Sequence, residues 1–318
     1  MRDGNGNGRK KPAPFMLVSG TLDDPDSRAL VPPHLARTGW ITHEAQCAIA
    51  VYQELRKELR ALKKKVSPNH VHKARVTLRR WFSVWKVLRE DHWESQLYTK
   101  SIGKRMKKLQ KMLGQLRDTD VNIEQSEKLG CTQKLIDSMK EQRQELEKEL
   151  EKYVRKQDLK DLMDKLGAYL RKRAQKITLK LPRAKAEQSA YQHIELFLLK
   201  QESIVRERAE TAKEPEEYHE LRLGIKGWRY LLTEFFGVTN LELVRAQQIL
   251  GQMHDLDRLT PLLIQDQGQK EALSKLKERR KELLSQIDEM RQRLPYGLRP
   301  QITSTKAALP AGFVDPRT

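Results

Sequence analysis

The sequence contains two motifs that each occur twice and in the same order. A His-x2-Arg-x3-basic-x-Trp string at 72–81 recurs at 219–228, and a Leu-Gly-Gln-x2-Asp-x-Asp string at 113–120 recurs at 250–257. One match could arise by chance, but two matches in the same order indicate that a whole structural unit was duplicated. We therefore predict two related helical bundles arranged about a pseudo-twofold axis.

Helical periodicity dominates the chain around these motifs. Long stretches without Gly or Pro carry apolar side chains three and four positions apart, which is the spacing of an amphipathic helix. We find no stretch with the alternation of a β-strand, so the predicted fold class is all-α. Gly114 and Gly251 are expected to interrupt helices, and Asp118 or Asp120 is expected to cap the helix after Gly114.

Gly and Pro mark the predicted boundaries. Residues 1–36 carry both throughout and are expected to form a flexible arm, and residues 295–318 contain four prolines and are expected to form a flexible tail. The helical domain between them spans 37–294. Within it we predict a first half at 37–176, a linker at 177–187 that contains Pro182, and a second half at 188–294.

The chain is strongly basic, with 62 Lys and Arg residues against 43 Asp and Glu and a net charge of +19. The excess is concentrated between Ala61 and Arg117, where sixteen residues are Lys or Arg and three are acidic. A field of one sign attracts polyanions over long range. Nucleic acid, an anionic membrane surface and polyphosphate are the partner classes that this charge indicates.

The basic residues lie on one side of their predicted helices. At about 100° per residue, His72, Arg75 and Arg79 share a stripe, and Leu78 and Trp81 lie well round the cylinder. The helix from 219 repeats this design, and basic residues also form an exposed row on the third helix. The predicted polyanion-binding residues are His72, Arg75, Arg79, Arg80, Lys104, Lys108, Lys111, Arg117, His219, Arg222, Lys226, Arg229 and His254.

The other chemical signals are weak. Cys47 and Cys131 are too few for a disulfide framework or a CxxC metal site and are expected to be buried thiols. No apolar run approaches the roughly 18 residues of a membrane span, and the N-terminus lacks the apolar core of a signal peptide, so we expect a cytoplasmic protein. We expect no cofactor and no metal. The remaining histidines with an expected structural role, each in a local hydrogen bond, are His43, His70, His92 and His193.

The ordered set of four motifs resembles the CHAD family, the conserved histidine α-helical domain. The resemblance covers about residues 38–293, and the stretch 219–236 is especially similar to the second-half signature of the family. It implies two antiparallel four-helix bundles around a basic cavity, and inorganic polyphosphate as the ligand, in some members on polyphosphate granules. The ligand-facing residues that it implies are His72, Arg75, Arg79, Arg117, His219, Arg222, Lys226 and His254. Gly227 departs from the family pattern, which often has a basic residue there, and Gly224 and Gly227 both weaken the helix, so we expect a poorer ligand surface in the second half.

The prediction is therefore non-catalytic polyphosphate binding, with two alternatives. A nucleic-acid-binding protein would explain the charge, but the tryptophans are expected on apolar faces rather than among the basic residues, where bases would stack. A metal-dependent phosphohydrolase is suggested by His254-Asp255. The repeat places Arg117 where His254 stands, and since arginine is not a metal ligand in proteins, the position is interpreted as cationic. Oligomeric state is left open.

Overall fold

A computed structural model describes residues 29–30, 40–90, 102–156, 159–180, 183–265 and 270–300. Within these ranges the chain folds into nine helices: α1 (Trp40–Lys64), α2 (Pro68–Glu90), α3 (Lys104–Leu129), α4 (Gln133–Lys156), α5 (Leu159–Lys180), α6 (Arg183–Thr211), α7 (Pro215–Phe236), α8 (Leu241–Gln265) and α9 (Lys270–Gln292). The one other regular element there is a parallel pairing of Ala29–Leu30 (β1) with Arg299–Pro300 (β2). The predicted all-α class is confirmed.

Helix α7 shows how local sequence sets the frame of the second half. Glu214 and Glu217 form a capping box, in which the Glu217 carboxylate accepts a hydrogen bond from the Glu214 N–H at 3.0 Å. Pro215 occupies the first helical turn, where a missing N–H costs nothing. Gly237, at φ 67°, ends the helix in a left-handed conformation. These signals fix both ends of the helix that carries the second His-x2-Arg motif.

The prediction that Gly114 and Gly251 interrupt helices was wrong. Helix α3 continues through Gly114 and α8 continues through Gly251. A glycine inside a helix costs about 1 kcal/mol relative to alanine, and burial of the apolar rows on either side, such as Leu113 and Leu116 in α3, outweighs that cost. Asp118 and Asp120 therefore lie within a helix and do not cap one.

The two halves share one hydrophobic core. Trp81 of α2 and Trp228 of α7, the tryptophans of the repeated motif, are fully buried in the same apolar cluster. Helix α1 packs against α2 and α5 of the first half and also against α6 and α7 of the second. The described residues of the first half form five helices, not the four that were expected. The pseudo-twofold relation between two bundles stays a prediction.

The halves meet through helices that carry the same motifs. Helix α2 packs against α7, and both contain the His-x2-Arg string. Helix α3 packs against α8, and both contain the Leu-Gly-Gln string. All four copies of the repeated motifs therefore lie at the junction between the halves.

The predicted linker and the start of the predicted tail both differ from the structure. Helix α5 extends to Lys180 and α6 begins at Arg183, so helical backbone covers most of the predicted linker at 177–187. The predicted tail begins with residues that pack on the second half. The Tyr296 ring stacks on Trp228 with centroids 6.0 Å apart, and the Gly297 N–H donates to the Glu202 carboxylate at 3.0 Å. Leu298 is also buried, which explains why this segment docks.

The rest of the predicted arm and tail, residues 1–28, 31–36 and 301–318, lies outside the described residues. No helix among the described residues is long and apolar enough to cross a membrane.

Candidate functional site

The crossing of α2 and α7 brings basic side chains of both halves together. We call Arg75, Arg79, Arg222, Lys226 and Arg258 the central cation cluster. Arg222 lowers the pKa of Arg79, and Arg75 lowers the pKa of Arg222, although burial has the larger effect on each guanidinium. Burial is unusual for such residues, yet Arg222 is 7% exposed and Lys226 is 8% exposed. Cations from opposite halves therefore share one partly desolvated site.

Lys226 is the most perturbed cation of this cluster. Burial, followed by the charges of the neighbouring Arg222 and Arg79, lowers its pKa to about 6. No ion pair or hydrogen bond joins its amine to another described residue. Its neighbourhood thus contains more positive charge than the surrounding side chains neutralise.

Asp118 is the carboxylate that links the two halves at this site. It accepts a hydrogen bond from Arg75 at 3.3 Å and forms an ion pair with Arg258 at 2.6 Å. Arg75 belongs to α2, Asp118 to α3 and Arg258 to α8, so one carboxylate holds three helices. The Nε atoms of Arg75 and Arg222 remain buried without a hydrogen-bond partner among the described residues. An added anion would find donors there.

Arg258 is not among the residues predicted from the sequence. Its position in the second half corresponds to Val121 in the first, so the repeat contains no signal for it. Asp118 was expected to cap a helix, and its actual partners are set by how α2, α3 and α8 cross.

His219 and His254 meet in the second half. Their Nδ1 atoms lie 3.2 Å apart, and an Arg222 Nη2 group lies 3.3 Å from the His219 Nδ1 atom. Because a guanidinium only donates, the His219 Nδ1 atom is the acceptor. Burial lowers the pKa of His254 to about 3, with Arg222 as the next cause, and burial followed by Arg222 also lowers the pKa of His219. Both imidazoles are therefore neutral near pH 7 in these surroundings, and a nearby anion would shift both pKa values upward.

The first half contains the corresponding pair, His72 and Arg117. His72 is exposed on α2, and burial of part of its ring, followed by the charges of Arg117, Arg75 and Arg79, lowers its pKa. Arg117 is half-buried on α3 and has no ion-pair partner among the described residues. Of the eight residues that the family resemblance implied, four belong to the cluster, and the other four lie at the α2–α3 and α7–α8 junctions beside it: His72, Arg117, His219 and His254.

Arg80 does not belong to this cluster, contrary to the prediction. Its guanidinium donates to Glu234 of α7 at 2.6 and 2.9 Å and to Glu54 of α1 at 2.5 Å. The Glu234 side chain is only 6% exposed. Arg80 is one residue from Arg79 and so points about 100° away round the helix. It holds α1, α2 and α7 together, and its charge is neutralised.

The other predicted cations lie at the margins. Arg229 donates to Gln247 at 2.9 Å and stacks its guanidinium 4.8 Å from the centre of the Tyr230 ring. Lys104, Lys108 and Lys111 are exposed along α3, and the Lys108 amine lies 5.3 Å from the centre of the Tyr153 ring. Among the described residues no contact joins these three lysines to the cluster.

The histidines with an expected structural role bond to main-chain carbonyls. His70 Nδ1 lies 2.8 Å from the Lys65 oxygen, and His193 Nε2 lies 2.8 Å from the Val87 oxygen. His43 binds the Phe235 carbonyl. The structural role is confirmed for these three, although His43 and His193 reach other helices rather than their own. His92 lies outside the described residues.

A cavity of about 480 Å³ adjoins the cluster between α2, α6 and α7. Arg79 and Lys226 line it and belong to the cluster as well. Three or more His, Cys, Asp or Glu side chains do not converge as metal ligands anywhere in the part of the chain that the structure describes. The local chemistry is that of an anion site: guanidinium and amine donors, neutral imidazoles and one shared carboxylate.

A family model described as the CHAD domain matches residues 46–264. The chain belongs to the CHAD family. A similar solved structure is the CHAD domain from the plant Ricinus communis, with a TM-score of 0.62 and 21% sequence identity over 84% of this chain and 95% of that one. At 21% identity, this similarity supports the fold of the present CHAD protein and nothing more specific. No curated protein matches the sequence.

Proposed function

We propose that this CHAD protein binds inorganic polyphosphate without catalysing a reaction, through the central cation cluster and the two His-containing junctions beside it. The observation that supports this is the shared charge of Arg75, Arg79, Arg222 and Arg258, which directly contact only one carboxylate, Asp118, within the part of the chain that the structure describes. Such a site attracts an anion with charges from both halves at once.

The residue types suit a chain of phosphates. A guanidinium can hold two phosphate oxygens in a planar fork, and a lysine contributes a compact charge. Polyphosphate carries about one negative charge per phosphate, so binding releases counterions and weakens steeply with salt, as for nucleic acids. Polyphosphate between these groups would favour the protonated forms of Lys226, His219 and His254, because it supplies the negative charge that their surroundings lack.

Nucleic-acid binding is the second candidate, supported by the net charge of +19. Base stacking needs accessible aromatic rings among the cations. Trp81, Trp85 and Trp228 instead lie at 0%, 5% and 0% exposure in the core. Without these tryptophans as stacking platforms, the central cation cluster itself would hold nucleic acid through its phosphates alone, which favours the phosphate polymer as its ligand.

Metal-dependent phosphoester hydrolysis is the third candidate. His254 and Asp255 lie among Arg222, Arg258 and Lys226, whose positive charges oppose the approach of a metal cation. We therefore assign these two residues to anion binding and electrostatic balance.

A competition experiment tests the proposal. Labelled long-chain polyphosphate bound to the protein is displaced by unlabelled polyphosphate, duplex DNA or RNA at equal phosphate concentration, at two salt concentrations. We expect polyphosphate to compete at least tenfold better, which is about 1.4 kcal/mol, and to keep that preference at the higher salt. Equal competition by all three polymers would mean a generic basic surface and would favour the nucleic-acid candidate.

The cellular part of the proposal is that the protein is cytoplasmic and associates with polyphosphate granules. Fluorescence microscopy of the tagged protein in polyphosphate-accumulating cells would test it. Granule-associated signal that disperses when polyphosphate synthesis is blocked is the expected result, and a signal unaffected by the loss of polyphosphate would contradict it.

A further inference from the structure

One of the differences between α2 and α7 changes how each helix packs against its neighbours. Arg80 of α2 corresponds to Gly227 of α7 in the repeat. On α2 the Arg80 side chain and its two carboxylate partners occupy the space beside the helix. On α7 the missing side chain lets Gln201 of α6 approach, and a Cβ atom at Gly227 would lie 3.3 Å from the Gln201 Oε1 atom. The 480 Å³ cavity lies along this stretch.

The glycines thus have a packing role. At Gly224 a Cβ atom would lie 3.2 Å from a Val205 methyl group, and the Gly224 carbonyl accepts a hydrogen bond from the Gln201 amide at 3.0 Å. Close approach of α6 to α7 fixes one wall of the cavity. From the sequence, these glycines were expected only to reduce the ligand surface, whereas in the structure they shape the wall of the cavity.

The cavity combines an apolar wall with cations. Its apolar lining comes from Phe82, Phe197, Ile204, Leu223, Leu231 and the ring of Tyr230. Its cations are Arg79 and Lys226 on one side, Lys86 above the Phe197 ring at 5.6 Å, and Arg208, which is paired with Glu220 at 3.0 Å. The Lys226 side chain is largely buried, and its amine has no ion-pair or hydrogen-bond partner among the described residues.

We propose that this cavity binds a small organic anion with an aromatic or apolar body. The body packs against Phe82, Phe197 and Leu223, and the anionic head contacts Lys226 and Arg79. The volume of about 480 Å³ lies within the roughly 300–1,000 Å³ of small-molecule sites. Polyphosphate has no apolar surface and gains nothing from this wall, so the inference goes beyond the proposed function while sharing two cations with it.

The test uses 1-naphthyl phosphate as the probe and compares it with inorganic phosphate, which lacks the body, and with 1-naphthol, which lacks the charge. Isothermal titration calorimetry on the full chain measures the three dissociation constants. We expect 1-naphthyl phosphate to bind at least tenfold more tightly than either comparison ligand, because both the apolar wall and the cations contribute. Binding no tighter than that of inorganic phosphate would overturn the proposal.

Two variants locate the binding. Leu223→Gln makes the partly exposed wall polar, and Leu241→Gln is the matched control because Leu241 is an exposed leucine of α8 that does not line the cavity. We expect Leu223→Gln to weaken 1-naphthyl phosphate binding about threefold to tenfold, at the ≈ 25 cal/mol per Å² of buried apolar surface, and to leave polyphosphate affinity unchanged. Lys226→Met is expected to weaken both ligands. Equal effects of the two leucine variants on the probe would overturn the cavity as its site, whatever the outcome for polyphosphate.

Discussion

At the residue scale, the burial of Lys226 among arginines lowers the stability of the folded protein at neutral pH. A buried amine among arginines is disfavoured as a cation, which is why its pKa falls to about 6. The unfolded chain would hold that proton up to its ordinary pKa of 10.5. Between about pH 6 and 10.5 the unfolded state therefore binds more protons at this group, and its contribution to the free energy of unfolding rises with pH.

Lys226→Met removes the charge and keeps the length of the side chain. We expect the free energy of unfolding at pH 7 to rise by about 1 kcal/mol and its increase between pH 6 and 8 to become shallower than in the native protein. Urea unfolding at both pH values measures this. The same variant should bind polyphosphate several-fold more weakly at pH 6. A loss of stability together with unchanged polyphosphate affinity would contradict this role for Lys226.

At the element scale, Asp118 and Arg80 join helices in two different ways. Asp118 joins α2, α3 and α8 inside the cation cluster, where an incoming anion competes for the same donors. Arg80 joins α1, α2 and α7 through carboxylates of its own, outside the cluster. The ion pairs of Asp118 should therefore limit polyphosphate affinity, whereas those of Arg80 should affect only the stability of the protein.

Asp118→Asn removes the shared carboxylate charge from Arg75 and Arg258. We expect polyphosphate affinity to rise by about threefold to tenfold, which corresponds to roughly 0.7–1.4 kcal/mol, because the donors no longer have an internal competitor. The matched control is Asp164→Asn, which breaks the 2.6 Å surface ion pair with Arg56 and raises the net charge equally. A titration of labelled polyphosphate compares them. Equal gains in both variants would show that only net charge matters.

Arg80→Met leaves the buried Glu234 carboxylate without its cation. Breaking a buried pair in this way costs about 3 kcal/mol, so we expect a clear fall in the urea midpoint, whereas the affinity of the folded protein for polyphosphate stays within twofold of the native value. Arg79→Met, one residue away, should show the reverse pattern. A large loss of polyphosphate affinity in Arg80→Met would contradict this account and show that Arg80 contributes to binding.

These elements also show what could be predicted from the sequence. The family resemblance implied that His219 and His254 both face the ligand, and their rings lie in contact. Helical periodicity placed Trp81 and Trp228 on the apolar faces of their helices, because that inference depends on local spacing, and both are buried. The pairing of Asp118 with Arg258 and the continuity of α3 through Gly114 depend on how helices cross and on the packing around them. Neither is encoded by spacing along one helix, so both were missed.

At the scale of the whole molecule, the packing of α2 against α7 produces both the shared hydrophobic core and the central cation cluster. Helices α2 and α7 place their tryptophans into one apolar cluster, and their opposite faces bring cations from both halves together. Because the site is assembled from both halves, neither half should bind polyphosphate with full affinity through its own cations.

The most direct test measures long-chain polyphosphate affinity, as a function of salt, for Arg79→Gln/Arg222→Gln and for a control double variant, Lys64→Gln/Lys172→Gln. Both variants lose two charges, and the control lysines are exposed on α1 and α5. We expect the first to lose at least tenfold in affinity and to show a shallower salt dependence, with a loss below about threefold, or roughly 0.7 kcal/mol, in the control. Equal losses in the two variants would contradict a defined site formed by both halves.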